Sequence, residues 1–252
     1  MAETGELRIG FSNAGSGGTS GHLRLFGSLV PAGVSLEFEG LHVLDESRDD
    51  FDIRYDLHGN LQPLLDRAVE LVSERGWDAL IVPAAPLEVM NLGLYDSLRH
   101  ALSVPVTTAL NACSEALNAF GASRVLLMTP FTERMNARIR DYLANRGIEA
   151  STYGEFDRVT EAMVLGPEEV RRRARSALDQ AGRVDAIYFQ GAVLDPLEVI
   201  ESLEQESELP VVASNPAMLW FILSQLGRRY SIEGYGKLLR QWPAVSARAG
   251  SQ

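Results

Sequence analysis

The chain has 252 residues, 46% of them hydrophobic, and a formal net charge of −11. That length suits one large or two small α/β domains, and the acidity argues against nucleic acid as a partner. No apolar run is long enough to span a bilayer, no basic-then-apolar leader opens the chain, and the lone Cys113 excludes an internal disulfide or a Cys-based structural metal site, so a cytoplasmic protein with no membrane partner is expected.

Short apolar runs alternate with amphipathic stretches along the chain, the pattern of a βα repeat with a mainly parallel sheet. Leu7–Phe11 is predicted as the first strand, running into the glycine-rich loop Ser12–Ser20. A second strand is expected over Leu36–Val43, and the charge-crowded segment Leu44–Leu57 is expected to be an exposed loop. A helix over Asn60–Arg75, a buried strand over Asp78–Pro83 and a helix over Leu87–Leu102 follow. Val104–Thr108 opens a second half, with a helix over Ala109–Phe120, a strand over Arg124–Met128, a helix over Phe131–Arg146 and a strand over Ile148–Tyr153. Gly154–Leu165 is a loop with room for one helical turn, and Pro167–Ala181 is an Arg- and Glu-rich helix. Ala186–Phe189 is then a strand covered on both faces, and Pro196 is placed to open a helix carrying Val199 and Leu203. Val211–Ala213 is the last strand, and Ser214, Asn215 and Pro216 form a cap signal for a final helix over Pro216–Leu226. The tail after Trp242 is expected to fray.

The halves echo each other. Asp78-Ala79-Leu80-Ile81-Val82 with Pro105-Val106-Thr107-Thr108-Ala109 parallels Asp185-Ala186-Ile187-Tyr188-Phe189 with Pro210-Val211-Val212-Ala213-Ser214. Two similar α/β lobes are expected, 1–103 with 216–252 and 104–215, with a ligand cleft between them. Ligands of open α/β sheets bind beyond the carboxyl ends of the strands, which points to Gln190-Gly191-Ala192 and Ser214-Asn215.

The block Ile187–Leu219, above all Leu197-Glu198-Val199-Ile200-Glu201 and Pro210 through Ala217, resembles the aspartate/glutamate racemase superfamily, in its branch of arylmalonate decarboxylases and maleate cis-trans isomerases. Gly234-Tyr235-Gly236-Lys237-Leu238 and Val106 through Gly121 extend the resemblance over nearly the whole chain. It implies two pseudo-symmetric Rossmann-like lobes, each a mainly parallel four-stranded sheet flanked by helices, and a cofactor-free enzyme. One or two cysteines flank the substrate α-carbon in such enzymes, and N–H groups and hydroxyls hold the carboxylate and the enolate charge. The cysteine positions correspond here to Ala85 and Gly191, and the hydroxyl residues that follow the first are replaced by Pro86 and Leu87. Chemistry that depends on a thiol pair is therefore not expected. Small residues there suit either a tight turn or a pocket enlarged for a bulkier, apolar acid.

The remaining candidates follow from chemistry and position. Asn13 and Ser16 stand in a loop whose bare N–H groups suit a carboxylate. Thr129 and Phe131 follow a strand, and the resemblance places a tyrosine at Phe131 in some relatives. Asp195, Glu88, His22 and Tyr188 are the groups able to move a proton, although Asp195 is also placed to cap a helix before Pro196. Asn215 suits either a helix cap or a carboxylate contact, and Arg158 could clamp a carboxylate. His42, His58 and His100 are expected at the surface, and no histidine pair has metal-ligand spacing. The expectation is a cofactor-independent lyase or isomerase, of decarboxylase, isomerase or cyclase type, acting on a carboxylate- or 1,3-dicarbonyl-bearing small molecule. The enzyme is expected to work without metal, and a homo-oligomer is compatible with the resemblance. The alternative is a non-catalytic homologue that binds a small carboxylate or a protein partner.

Overall fold

The computed structural model describes residues 6–16, 26–45, 47, 51–154 and 156–245. The chain divides into two compact units, Met1–Leu110 and Asn111–Gln252. His22 and most of the glycine-rich loop lie outside the described residues, as does the end of the tail.

In the first unit β1 (Leu7–Asn13), β2 (Val34–Gly40), β3 (Ala79–Val82) and β4 (Val106–Thr108) form a parallel sheet in the order β2-β1-β3-β4. All four residues of β3 are buried, as a strand covered on both faces requires. Gly10 in β1 is needed for close packing, since a Cβ there would come within 2.1 Å of the Trp77 ring. The helices are α1 (Phe51–Arg54), α2 (Gln62–Arg75), α3 (Ala85–Met90) and α4 (Leu94–Ala101).

In the second unit β5 (Arg124–Met128), β6 (Glu149–Ser151), β7 (Ala186–Phe189) and β8 (Val211–Ala213) repeat the same winding as β6-β5-β7-β8, again parallel. Here α5 is Ala109–Ala119, α6 Glu133–Ala144, α7 Val159–Ala162, α8 Pro167–Ala181, α9 Ile200–Ser207, α10 Ser214–Gln225 and α11 Gly236–Gln241. Helix α10 is buried on every face from Ser214 to Leu223, which suits its lack of a polar stripe.

The repeated Asp-Ala pair starts the third strand of each sheet in the same way. Asp78 Oδ2 accepts from the Arg8 N–H at 2.8 Å, and Asp185 Oδ2 accepts from the Arg124 and Ser123 N–H groups at 2.9 and 3.1 Å. The backbone bonds from Arg124 and then Ser123 hold the Asp185 carboxyl at about 2.

Several expectations are corrected. The lobe boundary at 104 fails because Leu80, Ile81 and Val82 pair with Val106, Thr107 and Thr108, so β4 completes the first sheet. The last helices, expected in segment 216–252 to return to the first lobe, belong to the second unit: α10 and α11 pack on β8 and on each other. The helix expected over Leu87–Leu102 breaks at Asn91-Leu92-Gly93, where Gly93 is left-handed (φ 84°) and Asn91 donates to the Leu87 and Tyr55 carbonyls, both at 2.7 Å. The segment Leu44–Leu57 is not a bare loop: it forms α1 and packs Leu44, Tyr55 and Leu57 on the apolar core. The helix after Pro196 starts only at Ile200, and β2 runs over Val34–Gly40.

The Gly234–Leu238 motif has a structural role. Glu204 of α9, 4% exposed, accepts from the Val211 N–H at 2.9 Å and the Lys237 N–H at 2.8 Å, joining α9, β8 and α11. Burial pushes its carboxyl up from the usual range. Gly236 (φ 85°) is held so close that a Cβ would meet Ile200 Cγ2 at 2.3 Å.

Two turns stand out. Past β3, Ala84 adopts φ 84° and ψ 95°, a region that disfavours any residue with a Cβ. Past β7, Gly191 adopts φ 106°, and a Cβ there would lie 2.7 Å from Pro130 Cδ. Ala84→Gly is expected to stabilise the protein by about 1 kcal/mol, relieved strain exceeding the added unfolded-state entropy, whereas Gly191→Ala should cost about 2 kcal/mol or more. Denaturant titration of the two variants checks both signs. Glu204→Ala should cost about 2–3 kcal/mol by orphaning two backbone donors, read as a lower urea midpoint.

Candidate functional site

A parallel sheet wound in this order has its topological switch between its two central strands, and ligands gather beyond the carboxyl ends there. In the first unit that place lies after β1 and β3. A depression of about 250 Å³ opens at it, lined by Asn13, Ala14, Gly15, Ser16, Leu44, Arg54, Tyr55 and Ala84. Its loop is pinned from behind: the carbonyls of Asn13, Ala14 and Gly15 accept from the N–H groups of Leu41, Val43 and His42 at 2.8, 2.9 and 3.0 Å. Asn13 and Ser16, expected from the sequence, line this pocket; Ala85 and Pro86 are instead buried at the start of α3. Glu88 is 3% exposed in the first turn of the same helix.

Arg54 and Tyr55 were missed by sequence reasoning because they fall in the segment expected to be exposed loop. The spacing of Leu44, Tyr55 and Leu57 amid the charge is the signal that the segment folds back onto the core. Desolvation raises the Tyr55 hydroxyl above its ordinary range, and the neighbouring Arg54 charge opposes that rise.

In the second unit the register pairs Met128 with Phe189 and Phe189 with Ala213, so Thr129, Gln190 and Ser214 follow side by side at one sheet edge. Two of these expected contacts are committed internally. The Thr129 hydroxyl donates to Asn136 Oδ1 and accepts from the Phe131 N–H at 3.1 Å. Gln190, 2% exposed, accepts from the Tyr188 hydroxyl, which also ties up Tyr188 as a proton carrier. Phe131 is buried, and with Pro130 it fills the space in front of the Gly191 α-carbon. The pocket expected to be enlarged at Gly191 is therefore closed there, and the small residue answers to a tight turn. Ala192 follows in the same turn, which Gly191 closes by accepting from the Leu194 N–H at 3.2 Å. Arg158 is exposed at the start of α7.

Asp195 does not cap a helix. Its Oδ1 accepts from the Leu197 N–H at 3.0 Å inside a turn, while Oδ2 is buried with no hydrogen-bond partner. Burial drives its carboxyl up to about 6, with Glu198 adding to the rise and the Leu197 N–H opposing it. Asn215 is 4% exposed in the first turn of α10, its Oδ1 buried without a partner, and no side chain caps that helix. First-turn N–H groups and the positive end of the helix dipole favour an anion at this point.

Counted from the strand ends, Ala84 stands two residues past β3 as Gly191 stands two past β7, and both have positive φ. Cys113, the only cysteine, is buried within α5. His42, His58 and His100 are exposed, and among the described residues no cluster could hold a metal ion. No helix among the described residues is long and apolar enough to cross a membrane.

Comparison with known proteins places this geometry. The family model for arylmalonate decarboxylase matches residues 87–239. The maleate isomerase of Nocardia farcinica is 33% identical over 145 residues, covering 56% of this chain and 57% of that protein. The arylmalonate decarboxylase of Bordetella bronchiseptica is 28% identical over 160 residues, covering 59% and 63%. The chain thus matches little more than half the length of these curated relatives. Among solved structures, unliganded arylmalonate decarboxylase superposes with a TM-score of 0.76 at 21% identity, over 93% of this chain and 99% of that one. A Nocardia farcinica maleate cis-trans isomerase, a cysteine-to-serine variant with a covalently bound succinylcysteine intermediate, superposes with a TM-score of 0.73 at 22% identity, over 93% and 98%. With two four-stranded parallel sheets of the same winding and a family model that spans most of the chain, this protein belongs to the arylmalonate decarboxylase family.

Proposed function

We propose that this chain is a cofactor-independent lyase or isomerase whose substrate carries a carboxylate next to an acidic carbon, and that Asp195 handles the proton. The observation that carries the reading is the Asp195 carboxyl itself, four residues past Gly191 with one oxygen enclosed and unpartnered. Family membership supports the reaction class, since the relatives named above are decarboxylases and isomerases. The covalent succinylcysteine of one relative has no counterpart at Ala85 or Gly191, the positions that match its family's cysteines, because neither bears a nucleophile.

In the decarboxylation form, the C–C bond to one carboxylate breaks and CO₂ departs. The electron pair passes into the remaining carboxyl group as an enolate. Asn215 and the first-turn N–H groups of α10 hold that charge. Protonated Asp195 gives its proton to the α-carbon and regains one from water. In an isomerisation at the acidic carbon, the ionised Asp195 carboxylate takes that carbon's proton, leaving the electron pair in the same enolate, and then gives the proton back.

Turnover is tested by following a panel of malonates and maleate by NMR. Asp195→Asn should lower kcat by about 10²–10⁴-fold, the usual range for a positioned proton carrier. Because the carboxyl must be protonated to act as the donor, kcat for decarboxylation should fall as pH rises through about 6, and this limb should vanish in the variant. Full activity in Asp195→Asn would remove the assignment. Carboxylate binding with no turnover of any panel member would make the chain a non-catalytic binder.

A further inference from the structure

Past β5, a buried network of hydrogen bonds joins Asn136 of α6 to the turn 129–131. We infer that Asn136 is a positioning residue for the second unit's site: it fixes that turn against Gly191 and thereby sets where the Asp195 carboxyl stands. Asn136 is 1% exposed. Its Oδ1 accepts from the Thr129 hydroxyl, and its Nδ2 donates to the Phe131 carbonyl at 3.2 Å. The Thr129 hydroxyl in turn accepts from the Phe131 N–H at 3.1 Å. Both backbone polar groups of Phe131 are thus tied into the network. With the Asn136 amide turned over, its oxygen would face the Phe131 carbonyl, acceptor against acceptor. A buried network whose members satisfy one another in this way favours a single arrangement of the turn.

The path of contact from that turn to Asp195 is short. Pro130 Cδ, Pro130 Cγ and Phe131 Cζ stand 2.7, 2.9 and 3.3 Å from where a Cβ on Gly191 would lie, so both rings back the Gly191 α-carbon. The Gln190 N–H donates to the Met128 carbonyl at 2.9 Å, which brings the ends of β5 and β7 together just before the two turns. The Gly191 carbonyl accepts from the N–H of Leu194, the residue before Asp195. Deleting a member of the network leaves a buried backbone group of Phe131 unpaired. Pro130 and Phe131 then lose the one position from which they back Gly191, and water gains access to the enclosed Asp195 oxygen. That Asp195 carries a proton rests on the proposed function, whereas the tie from Asn136 to Gly191 rests on these contacts alone.

The test is an NMR titration of the Asp195 carboxyl in the whole protein carrying isotope-labelled aspartate, its signal assigned by its loss in Asp195→Asn. In wild type it should titrate at about 6. Asn136→Leu and Thr129→Val should each move it back toward the ordinary carboxylate range, because water reaches an oxygen that burial had enclosed. Thr129→Ser, which keeps the hydroxyl, should titrate as wild type does. Thr129→Val is close to threonine in shape and keeps the test decisive should Asn136→Leu fold poorly. An unmoved Asp195 titration in either folded variant would overturn the inference, as would a wild-type Asp195 that titrates in the ordinary range. Turnover separates the inference from the proposed function. Where both hold, Asn136→Leu should lower kcat by about tenfold or more with KM little changed, move the pH limb to lower pH, and add little further loss in the Asp195→Asn background. A moved titration together with full turnover in Asp195→Asn would uphold the inference and defeat Asp195 as the proton carrier. An unmoved titration with turnover that depends on Asp195 would do the reverse.

Discussion

Parallel pairing of β5, β7 and β8 decides where each candidate group of the second unit can lie. Backbone ladders fix register to the residue, so Thr129, Gln190 and Ser214 must leave the sheet together at its carboxyl edge. The opposite edge is secured by Asp185, whose carboxylate gathers the N–H groups of Ser123 and Arg124. Asp78 plays the same part for β1 and β3 in the first unit. With the amino ends tied, the loops at the carboxyl ends can depart from regular structure at little cost to the ladders.

Those loops hold two turns with positive φ. Gly191 has no room for a side chain because Pro130 and Phe131 occupy it, while Ala84 keeps its methyl at a backbone angle that favours glycine. Strain of this kind persists only where the surroundings over-determine it, and it gathers at functional sites. Among the carboxylates beside these turns, Asp195 and Glu88 each keep an enclosed oxygen without a hydrogen-bond partner, and Asp195 also accepts from the Leu197 N–H. Thr129 and Gln190, which look like ligand contacts, have hydrogen bonds within the protein: Thr129 to Asn136 and the Phe131 N–H, and Gln190 to the Tyr188 hydroxyl.

The first unit answers a different demand. Its pocket is walled by a segment rich in charge, yet that segment is anchored by Leu44, Tyr55 and Leu57 on the core and by Asn91, which accepts from the Leu57 N–H and donates to the Tyr55 carbonyl. Asn91 stands at the break between α3 and α4. An apparent flaw in one helix thus holds the short helix that carries Arg54.

Much of the molecule was legible in the sequence, because strand and helix patterns are local. Alternating βα units, the repeated Asp-Ala strand starts, the exact spans of Arg124–Met128, Pro167–Ala181 and Ala186–Phe189, and the family all follow from residues close together in the chain. Asn13 and Asn215 drew attention because they stand at or just past strand ends, and Asp195 because it follows the turn after one. Tertiary structure alone decided which sheet β4 joins and where the last helices pack, since both depend on hydrogen bonds and burial between segments far apart. It likewise gave Ala84 its positive φ, because a backbone angle is not written in composition, and it drew Arg54 and Tyr55 to the wall of a pocket, because only the folded core shows which residues of a charged segment have apolar surface to rest on.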